Sequence, residues 1–198
     1  MRLAAVLVCL TALASPVHAA DMLSGRYGPL LLAVRDGTVA GVYSEGRGMP
    51  GGPQFSCYFV FDGKLADGRA DITVRQPEPG ETLHGTFTVQ GDAVALQLDE
   101  NGDGCAMTSG DMVKEPYVLD RDSQRPAWQS VALVSADKAV MQKGPARDAQ
   151  RRKPYLVQGD PVAVLQRQGD WLRVEYEGEG KPVTGWMQAS DLLVTAPR

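Results

Sequence analysis

Cys57 and Cys105 lie 48 residues apart, and neither has another Cys or His within five positions. Zinc sites need such donors clustered at short spacing, so these thiols suit a disulfide better than a metal. Acid–base chemistry is equally poorly supplied. The chain has 2 His, and only His84 lies outside the amino-terminal leader described below. A Ser-His-Asp triad would have to use His84 alone, and no Gly-x-Ser-x-Gly turn offers it a nucleophile. In Thr82-Leu-His-Gly-Thr86 it reads as an ordinary polar position at a strand start. No pair of carboxylates is singled out for glycosidase work. The expectation is therefore a protein that is not an enzyme, with no catalytic residue, cofactor or metal. Asp99-Glu-Asn101-Gly-Asp103-Gly104 opens like a calcium loop, but its twelfth position is Gly110 where a Glu is needed. It reads instead as an acidic turn leading into Cys105, whose flanks, Val94 to Leu98 and Cys105 to Met107, read as strands.

The compartment decides what those cysteines do. Met1-Arg2, the apolar run Leu3 to Ala14 and the small-residue exit Val17-His18-Ala19-Ala20 match a secretory signal over residues 1–20. The apolar run is well short of the roughly 20 residues that cross a bilayer, and no later segment approaches that length. Cys9 does not suit a lipoprotein signal, because Val8 stands where such signals place a small residue. Export to the periplasm or outside the cell puts Cys57 and Cys105 in an oxidising environment, where they are expected to pair.

Composition is that of an ordinary globular chain, with 198 residues, 43% hydrophobic and 22% charged. The net charge of −4 comes without any block of like charges. Nucleic acid is therefore not an expected partner. Charge is uneven along the chain. Residues 21–125 hold 16 acidic and 9 basic side chains, a net of −7, while 126–198 hold 8 and 10, a net of +2. The shift coincides with the polar stretch Asp120 to Pro126, which marks a boundary between two units, 21–125 and 126–198.

In the first unit the apolar runs Leu30–Val34, Thr38–Tyr43, Phe55–Phe61, Ile72–Val74, Thr86–Val89 and Val94–Leu98 have strand length. Asp36-Gly37, Asp62-Gly63 and Gly91-Asp92 are tight-turn dipeptides, so neighbours should pair as hairpins in an antiparallel meander or small barrel. Glu45 to Gln54 packs Gly and Pro so densely that it reads as a long exposed loop. No helix follows it, so it is not a phosphate cradle.

The second unit has short strands expected at Ala139–Gln142, Val162–Gln166, Asp170–Glu177, Val183–Met187 and Leu192–Val194, suited to a small closed barrel. Its markers are Tyr155 with Gly159-Asp160, then Gly169-Asp170-Trp171, then Gly185-Trp186, then Ala189-Ser190-Asp191-Leu192. With these markers the stretch resembles the bacterial SH3-like (SH3b) domain family, Ala189 departing from the polar residue usual there. The resemblance covers about a quarter to a third of the chain. It implies an SH3-like barrel and a binding role, in a family common in exported proteins, some of whose members recognise cell-wall peptides. The catalytic unit that often accompanies such domains in cell-wall enzymes is not identified here.

Trp186, between Gly185 and Met187, reads as core. In Trp171-Leu-Arg-Val-Glu-Tyr176 one face carries Leu172, Val174 and Tyr176, the other Trp171, Arg173 and Glu175. Trp171 then either borders a groove or lids a small core. The basic run Arg151 to Lys153 reads as a solvated loop. The chain as a whole is expected to be all-β, an exported binding protein whose SH3-like module docks a protein, peptide or peptidoglycan-type envelope ligand. Tyr155, Trp171 and Tyr176 are its candidate contacts. The alternative is an inhibitor or immunity protein that blocks a basic cell-wall hydrolase with the acidic first unit, through the Gly-rich loop near residues 46–53.

Overall fold

The computed structural model describes residues 23–49, 52, 54–77, 80, 82–153, 155–178 and 180–195. The expected leader at 1–20, with Cys9 in it, lies outside the described residues. Among the described residues no helix is long and apolar enough to cross a membrane.

The protein is all-β, built on two sheets. The first takes β1 (Gly25–Tyr27), β2 (Leu30–Arg35), β3 (Thr38–Gly48), β4 (Gln54–Lys64), β5 (Arg69–Arg75), β6 (Leu83–Gln90), β7 (Ala93–Leu98), β8 (Tyr117–Asp120) and β9 (Ser123–Gln124). From β1 to β8 the strands follow one another as an antiparallel meander. Only Arg121 and Asp122 separate β8 from β9, yet β8 pairs with β7 and β9 pairs with β1. Residues 117–124 thus join the two edges of the sheet and curl it into a barrel. The polar stretch from Asp120 is part of this closing strand.

Turn chemistry explains two of the hairpins. Asp36-Gly37 has φ 48° and 68°, and Gly91 has φ 66°, the left-handed conformations that two-residue hairpins require. Asp62-Gly63 is a correction, because both residues lie within β4, paired with Ala40 and Val39. A Cβ on Gly63 would lie 2.4 Å from the Asp71 carbonyl oxygen, so glycine serves close strand approach there. The turn falls at Asp67-Gly68, with φ 50° and 76°. The expected loop 45–54 also shrinks: β3 extends through Gly48 and β4 begins at Gln54, so a paired arm rises to a short tip.

Alternation fills the barrel with side chains. Leu30, Leu32, Val34, Tyr43, Phe59, Phe61, Phe87 and Leu96 are all fully buried in one cluster. Tyr43 stacks on Phe59 with ring centroids 5.2 Å apart, and Phe61 lies 6.2 Å from Phe87. Across one end of the barrel runs the β7–β8 connection, which carries the helical turn α1 (Cys105–Thr108). The sequence suggested a strand there. The chain instead crosses the strands, entering through Gly104 at φ 73°, whose Cβ position would lie 2.0 Å from the Ser56 carbonyl oxygen. The Cys57–Cys105 disulfide is formed, with a Cα–Cα distance of 4.5 Å, and bolts this cap to β4.

The second sheet has β10 (Ser130–Val134), β11 (Pro161–Gln168), β12 (Trp171–Tyr176), β13 (Val183–Gln188) and β14 (Leu192–Val194), in the order β13-β12-β11-β10-β14. Ala139–Gln142 is not a strand. Its residues make single bridges to changing partners, Ala139 to Leu156 and Gln142 to both Arg151 and Trp186, so no ladder propagates. Beneath the sheet, Val134, Met141, Leu156, Val162, Leu172, Val174 and Met187 form a second core.

A third cluster joins the sheets. Leu31, Ala33, Ala40, Val42 and Val60, on the outside of the barrel, pack against Trp128, Val131, Leu133 and Ala163. This contact is why β2 and β10 are buried on both faces. Polar links frame it. Trp128 Nε1 donates to Glu175 Oε1 at 3.0 Å, Arg35 Nε donates to the Trp128 carbonyl at 2.9 Å, and Ser44 Oγ donates to the Gly159 carbonyl at 2.8 Å. Arg125 pairs with Glu177 at 2.8 Å.

Candidate functional site

The barrel covers only part of the outer face of the second sheet. On β10 and β11 that face is occupied by Val131, Leu133 and Ala163 against the barrel. On β12 the junction reaches as far as Glu175, which accepts from Trp128 Nε1; from Arg173 to Trp171, and beside them on β13, the face is not covered by the junction cluster, and register dictates its content, because directly opposed residues share a face. Gln166 opposes Arg173, Arg173 opposes Trp186, Trp186 opposes Gln142, and Gln142 opposes Arg151. With neighbouring strands about 4.8 Å apart, these five side chains form one row across the sheet. The next row is Gln168, Trp171 and Gln188.

Trp171 and Trp186 are both half-buried, and Arg173, directly opposite Trp186, is exposed. Arg147 donates to Gln188 Oε1 at 3.4 Å and, with Asp170, Trp171, Ala189 and Ser190, borders a cleft of about 320 Å³. Gln142 is 8% exposed, and its Oε1 is buried with no hydrogen-bond partner among the described residues. The surface thus combines two indole rings with guanidinium groups on both sides. Indoles stack on apolar or sugar faces, and guanidinium forks grip carboxylates in bidentate fashion.

Trp186 was expected in the core, and the structure corrects this. Gly185 and Met187 face inward, where a Cβ on Gly185 would stand 2.9 Å from Met141 Cβ, so Trp186 faces outward. The tryptophan that is fully buried is Trp128, at the junction of the sheets. Sequence alternation held the signal for Trp186, since it shares parity with polar Thr184 and Gln188. Arg173 was legible as a neighbour of Trp171, whereas Gln142 and Arg151 join the row only through isolated bridges that no local pattern reveals.

The three sequence-based contacts do not converge. Trp171 and Tyr176 stand at opposite ends of β12, about 17 Å apart by strand rise, and on opposite faces. Tyr176 packs against the second core. Tyr155 is 54% exposed, with the Lys138 ammonium 4.3 Å above its ring centre. It lines a separate groove with Lys138, Val140, Arg151, Arg152 and Lys153, and Arg151 links this groove to the Trp186 row.

Two other sequence features resolve into internal contacts. In the acidic turn, Asn101 Nδ2 donates to Asp111 Oδ1 at 3.2 Å, and the Asp103 N–H donates to Gln76 Oε1 at 3.2 Å. The Asn101 amide, with the Val113 and Lys114 N–H groups, holds the Asp111 carboxyl below the usual carboxylate range. Among the described residues no three His, Cys, Asp or Glu side chains converge as a metal site. At the capped end of the barrel, the Tyr43 hydroxyl lies 2.6 Å from Glu45 Oε2 and 2.7 Å from Ser109 Oγ, which itself donates to Glu45 Oε2 at 2.8 Å. Burial first, and the Glu45 hydrogen bond second, push the Tyr43 phenol far above its ordinary value, so it stays protonated. This trio ties the cap to β3. His84 is exposed on β6, opposite Thr73.

No family model matches this chain, and comparison with curated proteins and with solved structures returns no match.

Proposed function

We propose that the chain is an exported, non-enzymatic binding protein whose second unit is an SH3-like module that docks a peptide or peptidoglycan-type component of the cell envelope. The observation that carries this reading is the pairing of exposed Arg173 with half-buried Trp186, with Trp171 beside them and exposed Arg151 reached across the buried Gln142. Peptidoglycan presents sugar rings and carboxylate-bearing peptides together, the two chemistries that indole and guanidinium groups meet. The leader sequence and the buried disulfide support an oxidising, extracytoplasmic setting. Mature protein should cosediment with insoluble peptidoglycan. Trp171→Ala combined with Arg173→Glu should lower the affinity about tenfold or more while leaving the melting temperature within a few degrees, since both side chains are peripheral to the core. Failure to cosediment, together with no envelope partner in crosslinking, removes the reading.

The β3–β4 arm favours a second reading, an inhibitor of a cationic cell-wall hydrolase. Met49 near its tip is 74% exposed, Phe55 is also exposed, and the barrel that carries the arm is acidic. Met49→Asp with Phe55→Asp should then abolish inhibition in assays against a hydrolase panel. Undiminished hydrolase activity with the unmodified protein disposes of it.

A further inference from the structure

The groove beside Tyr155 has a volume of about 670 Å³, within the roughly 300–1,000 Å³ typical of ligand sites. Its lining is Val140, the Tyr155 ring and the stems of Lys138, Arg151, Arg152 and Lys153. Long basic side chains lay their methylenes along apolar surface and keep their charges at the water boundary. The result is an apolar trough with a cationic rim. Lys138 already stands over the Tyr155 ring, which is itself 54% exposed. The Arg152 Nε is buried with no hydrogen-bond partner among the described residues.

From this arrangement we infer that the groove takes an acidic peptide segment, which inserts an aliphatic side chain between Val140 and Tyr155 while flanking carboxylates meet the rim. The rim demands an anionic partner, and the trough demands an apolar group set between its charges. A polyanion without apolar groups leaves the trough wet. The inference deepens the docking reading above and rests on it. It adds a ligand class and a second contact point, joined to the tryptophan rows through Arg151.

The test is fluorescence anisotropy of the mature protein with a short labelled peptide alternating Glu and Leu, beside Gln-Leu and Glu-Ser counterparts. Sedimentation with phosphatidylglycerol-containing vesicles runs in parallel. The Glu-Leu peptide should bind tightest of the three and weaken as salt rises, because exposed charges are screened. Arg151→Glu with Lys153→Glu should reduce its affinity about tenfold or more, and Tyr155→Ala about fivefold, with circular dichroism unchanged. Equal binding of the Glu-Ser peptide, indifference to charge reversal, or binding to vesicles without binding to peptides each overturns the inference. Peptide binding lost while peptidoglycan cosedimentation persists refutes this inference alone. Failure to cosediment and to crosslink any envelope partner, while the Glu-Leu peptide still binds, refutes the preceding reading alone.

Discussion

Trp128→Ala lowers the stability of the folded protein by about 3–5 kcal/mol, the range for truncating a buried aromatic. The loss reaches both sheets at once. Trp128 is fully buried between Leu31, Ala33, Val42 and Val60 of the barrel and Val131, Leu133 and Ala163 of the second sheet. Removing the indole leaves a cavity shared by both, and Glu175 loses its Nε1–H donor. Denaturant unfolding of the unmodified protein, followed by near-ultraviolet and far-ultraviolet circular dichroism, should give coincident transitions, since neither sheet can shed the other without exposing this cluster. In the variant the midpoint should fall. Two separated transitions in the unmodified protein would show that the junction does not couple the sheets. The coupling matters for binding, because it fixes which half of the outer face of the second sheet stays open.

Breaking the disulfide has an effect of similar size. The Cys57–Cys105 bridge closes a loop of 48 residues, for which chain entropy gives about 4 kcal/mol of stabilisation. Both cysteines are fully buried, so the bridge resists reductant until the barrel opens. Cys57→Ala with Cys105→Ala should therefore lower stability by about 2–4 kcal/mol. The damage should appear first at the cap, where α1 and the Tyr43–Glu45–Ser109 trio meet β3. Hydrogen exchange in residues 99–116 should accelerate before that in β5 and β6. Uniform acceleration across the barrel would contradict this order.

How far the sequence reveals this fold depends on what each residue pattern responds to. Alternation exposes strands with one wet face, which is why β5 to β7 and β12 were legible. Leu30–Val34 was legible as a strand, yet its unbroken apolarity conceals that the outer face meets another sheet. Ser130–Val134 carries the same doubly buried pattern and escaped notice as a strand. Asp-Gly marks a turn at Asp36-Gly37 but close strand packing at Asp62-Gly63, and no dipeptide distinguishes left-handed φ from a missing Cβ. The pairing of Cys57 with Cys105 was readable from cysteine count and the expected compartment. The helical turn around Cys105 was not, because it follows from the chain crossing the barrel end. The site divides in the same way. Trp171 and Arg173 follow from local parity, whereas their alignment with Gln142 and Arg151 depends on contacts between distant segments.

The chain has 3 tryptophans, Trp128, Trp171 and Trp186, so its indole N–H groups give a direct readout of the docking face. The decisive measurement is a titration of nitrogen-15-labelled mature protein with soluble peptidoglycan fragments, followed by proton–nitrogen correlation spectra. If the open half of the outer face is the docking surface, the Trp171 and Trp186 indole signals shift progressively while that of Trp128, sealed between the sheets, stays in place. Unmoved Trp171 and Trp186 signals at saturating fragment, or shifts confined to the β3–β4 arm, would contradict it.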